Sequence, residues 1–454
     1  VPTSTERRRR VAYLSYSSAE FDARTQRMAR SAVAAGYDVV VYARWEAGLP
    51  LREKVDGYRI VRVLSNWQMA IPGLRRRGRR AVDARLRRIE SASVSAGGSS
   101  AAEATTAAPV ATRPGRSVIS AALRMVTWRP KSLLLFPLRP LGWAAALEGV
   151  VEPADLWHGM WAGSLPALGR LRRRHGGRTI YDSRDVFMHA RAFDRMHRAR
   201  RWFFQALERR WAHQADAVIT VNEAYATILE RTLRIHRPPV VMNCPERWMP
   251  PTPRPDRIRE TISLPSETRV VLYQGNLMSD RGIEQSMDAI LQVPDAVLAL
   301  LGYGQMQEQL RAAIARPPYA GRVFLLPAVP PSDLLTWTAS ADILVMAIQP
   351  SSLNHRYTTP QKLFEAIAAE VPVVAADLPG IAEVVRSTGT GVLVDPTSPA
   401  AIATGIRDLL DADPAEQAAI RARARTAADE RYNWESQLAT LFGVYDLLIG
   451  RSVG

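Results

Sequence analysis

Short apolar runs alternate with helical stretches along most of this chain, and that alternation limits the fold more than any other feature. Val11–Tyr16 reads as a strand, Arg24–Ala35 as a helix ended by Gly36, and Asp38–Ala43 as a second strand. Strand, helix, glycine, strand is the start of a parallel sheet, because parallel neighbours need a crossover that packs on the sheet. Gly57–Leu64 continues the series. The rhythm stops at about residue 66 and resumes at Asp155–His158, followed by Arg178–Asp182, Ala217–Val221 and Pro239–Asn243. Pro245–Pro265 is rich in proline and reads as a linker. A second series then runs through Val270–Gly275, Ala296–Gly302, Arg322–Leu326, Ile343–Ala347, Val371–Ala376 and Gly391–Val394, and Tyr432–Ile449 is a last amphipathic helix. The reading is an α/β protein with a first domain over 1–245, an insertion at about 66–150, a linker over 246–268, a second domain over 269–430 and a closing helix over 431–454. In doubly wound sheets of this kind ligands bind beyond the carboxyl ends of the strands.

The stretch from Arg356 to Asp377 carries the clearest chemistry. Thr359 is a suitable N-cap and Pro360 a suitable first helical residue. The helix start then presents backbone N–H groups and the positive end of its dipole, which suits a phosphate. Lys362 adds a full charge in the first turn. Glu365 falls on the same face; it is the wrong sign for phosphate but can accept hydrogen bonds from a pair of sugar hydroxyls one step away. Diphosphate plus ribose is a nucleotide. The alternative is an exposed i,i+3 ion pair with no ligand.

Two further turns follow strands. Gly275-Asn276-Leu277-Met278-Ser279-Asp280-Arg281-Gly282 lets the backbone approach a ligand and returns a cation to it; Arg281 otherwise reads as a solvated loop arginine. Gly302-Tyr303-Gly304 is a second glycine turn of a common kind.

Pro360-Gln361-Lys362-Leu363-Phe364-Glu365-Ala366, Val371-Pro372-Val373-Val374-Ala375 and Leu378 to Val385 resemble the donor-binding segment of glycosyltransferase family 4. The resemblance implies GT-B architecture: two Rossmann-like doubly wound domains facing a central cleft, with a C-terminal helix crossing back to the first domain. It implies retaining transfer of a sugar from a UDP- or GDP-sugar, with no cofactor. Lys362, Arg281 and the Pro360 helix start would hold the diphosphate, and Glu365 the ribose. Gly275, Asn276, Gly302, Gly304, Val329, Tyr357, Thr358 and Thr359 would complete the donor site. Arg281 would also stabilise the leaving diphosphate, and His158, at a strand end, would be the second catalytic group unless it is a core histidine. Arg24, Asp182, Arg184 and Asp185 would lie on the acceptor side. The chain departs from the family pattern at Tyr357, where the first of two glutamates is usual, at Asn276, at Met160, where a second histidine is usual, and at Glu370, where glycine is usual. A nucleotide-sugar 2-epimerase or a non-catalytic sugar-nucleotide-binding scaffold fits the same motifs.

Other chemistries lack their residues. No Cys/His cluster has zinc spacing, so no metal is expected. No phosphate-binding Walker loop and no serine nucleophile elbow occurs. Cys244 is the single cysteine, which excludes an internal disulfide and suits a reducing, cytoplasmic compartment. The basic start, Val1–Arg10, is not followed by an apolar run of signal-peptide length.

The net charge of +16 calls for an anionic partner. Arg75, Arg76, Arg77, Arg79, Arg80, Arg85, Arg87 and Arg88 cluster in the insertion, near Trp67, Met69, Ile71 and Leu74. Ser91–Pro114 is poor in bulky apolar residues and reads as a flexible loop. Beyond it come Met125–Arg129, Leu133–Phe136 and Trp143. No stretch reaches the ~18 apolar residues of a spanning helix, and Pro137, Arg139 and Pro140 interrupt Ser132–Val151. The expectation is a peripheral seat on an anionic membrane face, with a lipid-linked acceptor; the alternative is a solvated arginine face over a packed core. No recognised nucleic-acid module is present.

Overall fold

The computed structural model describes residues 8–20, 22–96, 138–189, 193 and 196–450. Two sheets form the framework. The first has seven strands in the order β3-β4-β2-β1-β5-β6-β7, where β1 is Arg10–Ser15, β2 Asp38–Arg44, β3 Arg52–Val55, β4 Tyr58–Val63, β5 Leu156–Met160, β6 Arg178–Ser183 and β7 Ala217–Thr220. The second has six strands in the order β10-β9-β8-β11-β12-β13, where β8 is Arg269–Gln274, β9 Ala296–Leu301, β10 Val323–Leu326, β11 Ile343–Met346, β12 Val373–Ala376 and β13 Gly391–Val394. These are two Rossmann-like sheets with helices packed alongside. From β4 to β6 in the first sheet and throughout the second, neighbours pair in parallel, whereas β3 pairs antiparallel with β4. The alternation of strands with helices explains this, since each helix returns the chain to the same end of the sheet. β3 escaped the sequence reading because Arg52-Glu53-Lys54-Val55 is polar. It is a short edge strand, and charge at an edge is tolerated.

Two compact units result: Val1–Asp182 with Arg210–Ala217 and Asp446–Gly454, and Ser183–Arg209 with Val218–Tyr445. In the second unit the strand side chains alternate between two cores. Val271, Tyr273, Leu298 and Leu300 enter one, and Val270, Leu272, Val297 and Ala299 the other. Burial on both faces is why these strands read as continuous apolar runs. The proline-rich segment before β8 is not a bare linker. It contains the helix Arg257–Ile262, whose Ile258 is fully buried.

The insertion is more ordered than its composition suggests. A helix runs from Arg75 to Ala96, so Ser91–Ala96 are helical rather than loop. The rest of the expected flexible loop, with Met125–Arg129 and Leu133–Phe136, lies outside the described residues. Leu138–Leu147 is a helix. Trp143, expected at a lipid interface, is instead fully buried, as is Met69 to within 3%. Trp143 packs edge-on to Tyr16, 5.4 Å between ring centroids. Its apolar neighbours Ala144, Ala145 and Leu147 are buried with it, so this stretch serves the core. Among the described residues no helix is long and apolar enough to cross a membrane.

Glu370, just past the helix Gln361–Ala368, has φ +55°. Its Oε1 accepts hydrogen bonds from Arg425 Nε at 2.8 Å and Nη2 at 2.6 Å.

Candidate donor site

The loops after β8 and β9 are fastened together at the carboxyl end of the second sheet. Gly275 N donates to Leu301 O at 2.9 Å and Leu277 N to Tyr303 O at 2.8 Å. Gly302 has φ +150°, and a Cβ there would lie 1.9 Å from Gly275 O, so only glycine fits. A Cβ on Gly304 would meet Asn276 Oδ1 at 2.6 Å, which brings these two residues together. Further on, Asp280 and Gly282 both have positive φ, +64° and +75°. The turn they make presents the partly exposed Arg281 between them. Gly282 backs directly onto Ala347 O, 1.9 Å from where its Cβ would be.

The helix Gln361–Ala368 supplies the next layer. It starts one residue later than expected: Pro360 is the N-cap, with φ −70° and ψ 146°. Proline cannot cap with a side chain, and Thr359, expected to cap, accepts a hydrogen bond from Asn222 Nδ2 at 3.2 Å instead. Asn222 Nδ2 also donates to Tyr357 O at 3.0 Å. A Cβ on Gly380 would press on Tyr357 O and Thr358 O at 2.4 and 2.5 Å, so Tyr357 to Pro360 is held from two sides.

Lys362 and Glu365 are not an exposed ion pair. Lys362 Nζ is sealed from solvent with no hydrogen-bond partner. It sits 3.9 Å from the centre of the Tyr273 ring and 3.5 Å from where a Gly275 Cβ would be. Burial, and after it the Arg281 charge, push its ammonium down to about 7, with Glu365 pulling the other way. Burial also pushes the Tyr273 phenol up.

Glu365 is buried, and amides grip both its oxygens. Gln274 Nε2 donates to Oε2 at 2.6 Å and Gln361 Nε2 to Oε1 at 2.7 Å. Each amide is itself held: Gln274 Oε1 accepts from Thr338 Oγ1 at 2.7 Å, and Gln361 Oε1 from Asn243 Nδ2 at 2.9 Å. Sequence reasoning missed Gln274, Gln361, Thr338, Asn243 and Asn222. The available signal was an amide at the last position of a strand and another directly before Lys362.

Val329 packs against the core cluster that contains Leu326 and Ala341. Arg184 and Asp185 are half-buried. The first unit holds a separate constellation. Asp22 caps the helix Ala23–Ala34 by accepting from Thr25 N, which aims Arg24 inward. Arg24 Nε donates to Asp182 Oδ2 at 2.8 Å and Nη2 to Oδ1 at 3.3 Å, with side chains 2% and 0% exposed. His158 Nε2 lies 3.9 Å from the same Oδ2, and the ring lies 5.2 Å from that of Tyr13. Arg24, Asp182 and His158 are thus brought together, all buried.

Residues 255–427 match the family model of glycosyl transferases group 1. The chain is 30% identical over 315 residues to a GDP-mannose-dependent alpha-(1-6)-phosphatidylinositol monomannoside mannosyltransferase of Mycolicibacterium smegmatis, covering 67% of this chain and 78% of that one. It is 30% identical over 245 residues to a D-inositol 3-phosphate glycosyltransferase of Xylanimonas cellulosilytica, covering 51% of this chain and 57% of the relative. In fold it is similar to the sucrose-phosphate synthase of Thermosynechococcus elongatus, with a TM-score of 0.68, 18% identity and coverage of 97% and 99%.

Proposed function

This chain belongs to the glycosyl transferases group 1 family and moves a sugar from a nucleotide sugar, and we propose that it does so with retention of configuration, onto a lipid-linked or cell-envelope glycan acceptor at a membrane surface. The observation that carries the donor assignment is the pair on one helix: a buried Lys362 ammonium with no hydrogen-bond partner, and one turn on, a carboxylate fixed by two amides. An unpartnered buried cation is costly unless a ligand anion completes it. The donor diphosphate would do so, with Arg281 and the positive end of the Gln361–Ala368 helix beside it. Glu365 would accept from the ribose hydroxyls. Arg281 would stabilise charge building on the leaving diphosphate. The acceptor oxygen would attack from the face the diphosphate leaves, with no covalent protein intermediate.

The name of the Mycolicibacterium relative supports GDP-mannose as donor and a phosphatidylinositol-type acceptor. A membrane seat is supported by the helix Arg75–Ala96, which exposes Arg76, Arg77, Arg79, Arg80, Arg85, Arg87 and Arg88. Each cation near an anionic surface contributes about 1 kcal/mol. Beside this helix a groove of 1160 Å³ is lined by Trp45, Leu49, Leu51, Ala84 and Ile89, with Arg85 and Arg88. Apolar walls beside cations suit an amphiphile with an anionic head.

Two measurements test this reading. Calorimetric titration with GDP, UDP and their sugars should give tight binding to one nucleotide, and NMR of the product should show the donor's anomeric configuration kept. Inversion would overturn the retaining assignment. Co-sedimentation with anionic vesicles should be lost when Arg75, Arg76, Arg77, Arg79 and Arg80 are replaced by serine. Equal partitioning of both proteins, or none, would leave a soluble acceptor such as an inositol phosphate, which the second relative's name favours.

A further inference from the structure

The helix Arg198–Ala212 turns two large aromatic side chains to solvent. Trp202 is 70% exposed and Phe203 55%. Phe204, the next residue, is buried and meets Phe203 edge-on at 5.6 Å, so the helix is anchored on one face and, among the described residues, open on the other. Helical spacing puts the exposed Arg198 one turn before Trp202 on the same stripe. Arg200 stacks on Phe204, and Arg201 Nη2 and Arg209 Nε donate to Phe193 O and Thr232 O, so these three half-buried arginines add positive charge to the helix while holding it to the fold. Glu208 is the only acid from Arg198 to Arg209, and it is buried.

A single exposed apolar side chain is ordinary. Adjacent Trp and Phe on the open face of an arginine helix are not, because leaving both in water forfeits the gain from burying them. Trp suits a boundary that is apolar on one side and wet on the other. Arginine beside it selects an anionic boundary. We propose that this helix is a lipid-contacting surface: Trp202 and Phe203 enter the headgroup region of an anionic bilayer while Arg198 and its neighbours meet lipid phosphates. The inference rests on the membrane seat proposed above but uses a different helix, so the two can fail separately.

The test uses the full chain with vesicles of phosphatidylcholine alone and of phosphatidylcholine with phosphatidylglycerol. Trp202→Ser/Phe203→Ser should bind the anionic vesicles at least about tenfold more weakly than the unaltered chain, since two apolar side chains no longer enter the interface. Its thermal melting should be unchanged, as both positions are exposed. Independently, Phe203→Cys can carry an environment-sensitive dye, because the native Cys244 is fully buried. Dye emission should rise on the anionic vesicles and fall back in high salt. Unchanged vesicle affinity of the double variant, or an unchanged dye signal on bound protein, overturns the inference and leaves the Arg75–Ala96 surface as the membrane contact. No binding of the unaltered chain to any vesicle overturns both. Self-association that the double variant abolishes, measured by sedimentation velocity, assigns the aromatic pair to a second copy and also overturns it.

Discussion

Lys362 Nζ lies over the ring of Tyr273, 3.9 Å from its centre. An aromatic face attracts a cation but accepts no full hydrogen bond, so the ammonium is held in place and left poorly stabilised. Burial, and after it the Arg281 charge, push the ammonium down to about 7, with Glu365 opposing.

Proton uptake is the first expected outcome. Burial and the Arg281 charge push the Lys362 ammonium down to about 7, and a bound diphosphate would keep it protonated. Above pH 7, nucleotide binding should therefore take up a proton, and affinity should fall by up to about tenfold per pH unit. Calorimetry in two buffers of different ionisation enthalpy reads the uptake directly. Lys362→Ala should bind more weakly and show none. The sign for stability is the reverse of a stabilising lysine pair. Between 7 and the ordinary value of 10.5, the unfolded chain binds more protons, so ligand-free stability rises with pH across that window. Lys362→Met should therefore stabilise the ligand-free protein, most of all below pH 7.

Gln274 should matter for recognition of the ribose. Gln274→Leu strips one donor from the buried Glu365 and removes the side-chain acceptor of Thr338 Oγ1, which keeps only Leu334 O. The stability loss should be roughly 1–3 kcal/mol. Binding should also lose its preference for a nucleotide over its 2′-deoxy form, which a general loosening of the fold would not single out. Titration with the paired nucleotides checks it, and an unchanged preference would separate Gln274 from the sugar.

Arg281→Ala should lower kcat by roughly 10²–10³ while changing donor Kd much less, if its charge acts on the leaving group. The same change removes a cation that depresses Lys362. The pH above which nucleotide affinity declines should therefore move upward. Equal losses in binding and turnover would make Arg281 an ordinary binding residue.

The Arg24–Asp182 pair yields a stability prediction. Arg24→Leu leaves the fully buried Asp182 carboxylate without its main partner, at a cost of about 3–5 kcal/mol. Adding Asp182→Leu should recover much of that loss in denaturant unfolding. Turnover of the double variant then separates the roles. Retained activity would make the pair structural, and lost activity at restored stability would support its place on the acceptor side.

What could be read from the sequence followed from what burial leaves in it. Strands covered on both faces, such as Val270–Gln274 and Ala296–Leu301, announce themselves as apolar runs, whereas β3 was silent because its edge position tolerates charge. Pro360 and Lys362 marked the donor helix, but the N-cap slipped by one residue because Thr359 is engaged by Asn222, 137 positions away. The grip on Glu365 was hidden for the same reason. Gln274 lies 91 residues from Glu365 and carries no charge or periodic signal. Trp143 was misjudged since a basic, aromatic, proline-interrupted stretch looks alike whether its Trp faces lipid or packs on Tyr16. Conversely, Trp202 and Phe203 gave no warning, as apolar residues inside a helical pattern are ordinarily core.

Glu370 in its left-handed conformation has a consequence for how this sequence can vary. An L-residue there gives up roughly 1–2 kcal/mol relative to glycine, and the carboxylate meets Arg425 on the spot. The two positions are therefore not independent substitutions. Among related chains, glutamate at 370 should travel with arginine at 425, while glycine at 370 should leave 425 free to drift. A lineage that acquired the glutamate would have accepted it more readily after the arginine than before, so the order of the two changes is written into the geometry of one loop.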